Sequence, residues 1–102
     1  MHLVLKDESI DLNGLSLEMI AALYAAMGVW KARGMCSLVI TSALDGTHKP
    51  GSKHPAGHAL DLRSRTLPDV FGMADQLRAI IGPDYDVVVE PDHIHIEYDP
   101  KS

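Results

Sequence analysis

Two short stretches of the chain hold most of the groups that could grip a metal or move a proton. His54, His58 and Asp61 fall close together, and His93 and His95 alternate near the far end; these are four of the six histidines in 102 residues. Random surface placement does not explain that grouping. If 58–63 is a strand, Leu60 and Leu62 point to one side and Ala59, Asp61 and Arg63 to the other. If 93–98 is a strand, Ile94, Ile96 and Tyr98 share one side and His93, His95 and Glu97 the other. The apolar sets must face the core, so Asp61, His93 and His95 are expected together on the open face. His54 precedes Asp61 by seven residues, across Pro55-Ala56-Gly57, where a glycine allows close backbone approach. Two imidazoles and a carboxylate form a three-ligand set with a coordination position left over, the pattern of catalytic zinc. A closed structural site would need several thiolates, and Cys36 is the sole cysteine.

The elements that must position these groups follow from periodicity. Ser16 to Arg33 reads as a helix with Leu17, Ile20, Leu23, Tyr24, Met27 and Trp30 on its buried face. Ser16 is its expected cap and Gly34 its stop. Ser37 to Ser42 reads as a strand, and Cys36 just before it as a buried, inert thiol. Residues 43–53 are polar and hold two glycines and a proline; a loop that long in so short a chain is expected to be functional. A second helix opens with Thr66 as cap and Asp69 three residues on. Its apolar stripe is Val70, Ala74, Leu77 and Ile81, and Gly82-Pro83 end it. Tyr85 to Glu90 and His93 to Tyr98 form a hairpin, and Leu3-Val4-Leu5 a short edge strand. The expected fold is α+β: a small antiparallel sheet with two helices on one face, in a single domain spanning 1–102.

Composition narrows the function. A net charge of −5 with no basic stripe argues against a nucleic-acid partner. No apolar run of about 20 residues offers a membrane span. The start, Met1-His2-Leu3-Val4-Leu5-Lys6-Asp7-Glu8, has no basic region followed by a long apolar stretch, so synthesis in the cytoplasm without a signal peptide is expected.

The segment Ser52-Lys53-His54-Pro55-Ala56-Gly57-His58-Ala59-Leu60-Asp61 resembles the SxHxxGxAxD motif of the D-alanyl-D-alanine metallopeptidases. That superfamily includes wall-lytic phage endopeptidases and the hedgehog signalling domain. His93-Ile94-His95 resembles its HxH motif, and the likeness runs from about Ser37 to Tyr98. The resemblance implies a hedgehog/DD-peptidase-like fold, one zinc per chain held by His54, Asp61 and His95, and hydrolysis of peptide bonds in bacterial cell-wall peptides. It implies action on the wall after release or as part of a phage particle. The alternative is a non-catalytic zinc-binding or phage structural module of the same fold.

For the general base the resemblance offers Glu90 and His93 ahead of Asp92. Each must reach the attacking water with a pKa near the working pH. The chain departs from the wall-lytic pattern after its first central strand. Ser42-Ala43-Leu44-Asp45 stands where those relatives carry an arginine thought to polarise the scissile carbonyl. His48 is the expected substitute, with Arg63 a weaker candidate.

Overall fold

The structure is a computed structural model and describes residues 1–43 and 57–100. The chain runs β1 (His2–Leu5), α1 (Leu17–Ala32), β2 (Ser37–Ser42), β3 (Ala59–Arg63), α2 (Val70–Ile81), β4 (Tyr85–Val89) and β5 (His93–Tyr98). The strands form one sheet in the order β1-β2-β3-β5-β4. The sheet is mixed rather than wholly antiparallel: β1 lies parallel to β2, while β2–β3, β3–β5 and β5–β4 are antiparallel. A parallel neighbour needs a crossover, and α1 is that crossover between β1 and β2.

Alternation sorts the sheet into two faces. Leu38, Ile40, Leu60, Leu62, Ile94 and Ile96 are fully buried and join helix residues in one core. From α2 the core takes Met73, Ala74 and Leu77. From α1 it takes Met19, Ala22, Leu23, Ala26, Val29 and Trp30. Periodicity suggests only part of this face: Leu23 and Trp30 are buried and Met27 packs against the core as expected. Leu17 is 80% and Tyr24 70% exposed, and Ile20 is exposed as well. The helix is apolar around most of its circumference, so spacing alone does not select a side. The side with Ala22 and Ala26 turns inward because small residues let α1 approach the sheet and α2 closely.

The caps also refine the sequence reading. Ser16 caps α1 as expected, its hydroxyl accepting from the Met19 N–H at 3.2 Å. In α2 the cap is Asp69, not Thr66. Its carboxylate accepts from the Gly72 N–H at 3.1 Å and from Arg33 Nη1 at 3.1 Å. Those two donors hold the Asp69 carboxyl below its usual range, the Gly72 bond most of all. An aspartate beside a helix N-terminus gains from the dipole as well, which threonine does not. Cys36 is exposed rather than buried, because it lies one residue outside β2; its carbonyl accepts from the His2 N–H at 2.8 Å.

Gly57 shows why the turn before β3 requires glycine. Its φ is +79°, and a Cβ there would run into the carbonyl of Gly14. Its own carbonyl accepts from the Ser16 N–H at 2.9 Å, tying the start of β3 to the start of α1. Gly57→Ala is therefore expected to cost roughly 2–4 kcal/mol, from the left-handed backbone together with the clash. Urea unfolding with the slope unchanged would measure it.

Candidate metal centre

β3 and β5 pair with Asp61 directly opposite His95 and Arg63 opposite His93. On the far side of β5, Val88 lies opposite His95 and Asp86 opposite Glu97. Opposed residues in an antiparallel pair share a face. The sheet face away from the core therefore carries Asp61, His93, His95, Glu97 and Asp86 together. The open-face cluster expected from alternation is present for Asp61, His93 and His95.

Within it, the Asp61 Oδ1 lies 2.8 Å from His95 Nδ1 and 3.8 Å from His93 Nε2. The Asp61 side chain is 16% exposed and that of His95 21%, so the pair is partly shielded but reachable. The Asp61 backbone is fixed from the other side. β2 places Ile40 opposite Leu62 and Ser42 opposite Asp61, so two steps on β2 match one on β3. Thr41 occupies this bulge and its hydroxyl donates to the Asp61 carbonyl at 3.3 Å. Bulges that re-aim a side chain recur beside functional sites.

His95 is held at both nitrogens. Opposite the Asp61 contact, its Nε2 lies 2.9 Å from Glu97 Oε1. The Asp61 hydrogen bond, opposed by burial and aided by Glu97, lifts the His95 pKa from 6.5 to about 9. Neither sequence motif points to Glu97. The signal was available: two residues beyond His95 on a strand is the same face.

His93 makes a different pair. Its Nδ1 donates to Asp92 Oδ1 at 2.6 Å, which holds the exposed Asp92 carboxyl below its usual range. With that proton committed to Asp92, the lone pair of neutral His93 resides on Nε2, the nitrogen nearer Asp61. Glu90 is exposed in the β4–β5 turn, where its N–H donates to the His93 carbonyl at 2.8 Å. Among the described residues its side chain makes no hydrogen bond or ion pair. His54 and His48 lie outside the described residues, as does Ser52 of the motif. Of the motif residues, the structure therefore brings together Asp61 and His95 and places His93 beside them.

Imidazole and carboxylate are the donor types that zinc takes. Ligands about 2.0–2.2 Å from a tetrahedral ion lie roughly 3.3 Å apart, and Asp61 and His95, now in direct hydrogen-bond contact at 2.8 Å, would separate slightly to share one. With Glu97 on His95 Nε2, an ion would have to replace the hydrogen bond that Nδ1 makes to Asp61. Metal-bound imidazoles commonly donate their other N–H to a carboxylate in this way. Asp86, Glu97 and Asp99 form the one group of three among the described residues whose donor atoms all lie within 4.8 Å of one another. Three carboxylates suit a hard cation such as calcium or magnesium, whereas imidazole suits zinc.

Two clefts share residues with the cluster. One, of about 350 Å³, has Arg78, Asp86, Val88, His95 and Glu97 among its walls. The other, of about 180 Å³, is lined by Lys6, Thr41, Arg63, Arg65, Asp92 and His93. Among the described residues no helix is long and apolar enough to cross a membrane. Comparison with known proteins finds no family model and no curated protein that matches the chain.

Proposed function

We propose that the chain is a zinc-dependent peptidase that hydrolyses peptide bonds in bacterial cell-wall peptides, with one zinc held by His54, Asp61 and His95. The observation that carries this reading is the in-register meeting of Asp61 and His95 at 2.8 Å on the sheet face away from the core. His93 lies within 4 Å of the same carboxylate, at 3.8 Å. When bound, zinc supplies a Lewis acid for the scissile carbonyl and makes water a competent nucleophile near neutral pH. The chain's own residues do the rest. His93, its Nδ1–H fixed by Asp92, takes a proton at Nε2 from the attacking water and hands it to the leaving amine. This arrangement favours His93 over Glu90 as base, with Asp92 as the group that orients it. Glu97 holds the His95 ring in place, and His48 supplies a hydrogen bond to the carbonyl oxygen. The cleft beside His95 provides room for the peptide.

Turnover of purified wall peptides is the test. Activity should vanish with a chelator and return with zinc. His93→Ala should lower kcat by about 10²–10⁴, the usual weight of a general base, while zinc stays bound. Absence of turnover in zinc-loaded protein would overturn the enzyme reading and leave a non-catalytic zinc-binding or phage structural module.

A further inference from the structure

The smaller cleft has a charge pattern that the peptidase reading does not use. The chain is acidic, with nine Lys and Arg residues against 14 Asp and Glu. Yet Lys6, Arg63 and Arg65 all line this one cavity. They converge at one end of the sheet. Lys6 follows β1, its N–H donating to the Ile40 carbonyl at 2.9 Å. Thr41 sits in the β2 bulge, Arg63 ends β3 opposite His93, and Arg65 lies two residues beyond.

The four arginines divide sharply by use. Arg33 bonds Gln76 and Asp69, and Arg78 bonds the Val87 carbonyl and Asp75; both tie elements together. The side chains of Arg63 and Arg65 have no hydrogen-bond or ion-pair partner among the described residues. The Lys6 ammonium has, among the described residues, only a loose, exposed pairing with Asp7 at 3.9 Å. The one carboxylate among the described wall residues, Asp92, already accepts from His93. Three cations gathered around a concavity repel one another unless an anion joins them. Guanidinium groups are suited to a planar or tetrahedral oxyanion, which they meet with paired donors.

We infer that this cleft binds an oxyanion, a carboxylate or phosphate group carried by a ligand, with Arg63 and Arg65 as its main donors and Lys6 and Thr41 beside them. A volume of about 180 Å³ holds such a group with several waters, each occupying about 30 Å³ in the liquid. Because His93 lines the cleft and also approaches Asp61, the anion would sit directly next to the metal centre. To that extent the inference deepens the peptidase reading, by giving the substrate a negative charge on one side of the reacting bond.

The test is binding to the metal-free full chain, so that it stands apart from zinc binding and turnover. Backbone and arginine side-chain NMR signals would be followed at constant ionic strength. The probes are inorganic phosphate, acetate, and an N-acetyl dipeptide with either a free or an amidated C-terminus. Saturable shifts centred on Arg63 and Arg65 are expected. The Arg63→Gln, Arg65→Gln double variant should bind at least tenfold more weakly, and Lys31→Gln should bind as the parent does. Thermal unfolding of each variant checks that it is folded. Arg65 is exposed and outside any strand, so Arg65→Gln alone provides a second variant, expected to weaken binding at least threefold. Preference for the free dipeptide over its amide would identify a carboxylate; preference for phosphate would identify a phosphoryl group; either supports the site. Non-saturating shifts with every probe, or unchanged affinity in the folded arginine variants, would overturn it.

Discussion

His95→Ala is expected to lower zinc affinity at least a hundredfold and to abolish turnover while leaving the fold intact. Structural zinc sites gather on the order of 10–16 kcal/mol from four ligands, so one ligand carries about 2.5–4 kcal/mol, or two to three powers of ten. The fold should tolerate the change. The core side of β5 is formed by Ile94 and Ile96, both fully buried, while His95 points the other way. Glu97→Gln separates holding the ring from holding the ion. It keeps a hydrogen-bond acceptor for Nε2 but removes the charge, and a loss of about 10–100-fold is expected. Isothermal titration with zinc against a competing chelator reads both variants.

Asp61→Asn should act twice, on the ion and on His95. Asp61 is the largest cause of the raised His95 pKa, so in the metal-free variant that pKa should fall well below about 9. The consequence for stability has a definite sign. A histidine whose pKa rises on folding from 6.5 to about 9 stabilises the fold fully below pH 6.5, and that contribution is lost as pH climbs through 9. Metal-free parent protein should thus lose stability between pH 6.5 and 9, and Asp61→Asn should show a flatter profile. Zinc binding runs in the opposite direction. Nδ1 must release its proton to face the ion, so parent affinity should rise about tenfold per pH unit for that one proton across the same window. NMR titration of the His95 ring and unfolding curves at the two ends of the range measure the effect. A His95 that titrates identically in both proteins would contradict it.

Much of this site is legible in β5. His93-Ile94-His95-Ile96-Glu97 alternates without exception, and a strand with one buried side has no freedom to present those residues otherwise. The same holds for Leu60-Asp61-Leu62 in β3. The register that sets Asp61 against His95 is not legible, since it arises from pairing across a helix and a further strand. Nor is the Thr41 bulge, which alters spacing without a glycine or proline to announce it. The buried face of α1 is legible at Leu23 and Trp30 and hidden elsewhere for a different reason. A helix apolar on nearly every side offers several plausible stripes, and the winning one depends on where alanines permit close packing. β1 was expected only as a short edge strand in an antiparallel sheet; its parallel pairing depends on the α1 crossover, which local sequence does not specify. The roles of Asp92 and Glu97 were within reach. Each carboxylate neighbours a site histidine in sequence, but only the side-chain contacts show that one holds His93 and the other His95.

Crystals grown with zinc and measured at the zinc absorption edge would show where the ion goes. The anomalous peak should lie between the imidazoles of His54 and His95 and the carboxylate of Asp61, one per chain. A peak among Asp86, Glu97 and Asp99 instead, or none at all in zinc-saturated crystals, would contradict the proposed centre and the peptidase chemistry built on it.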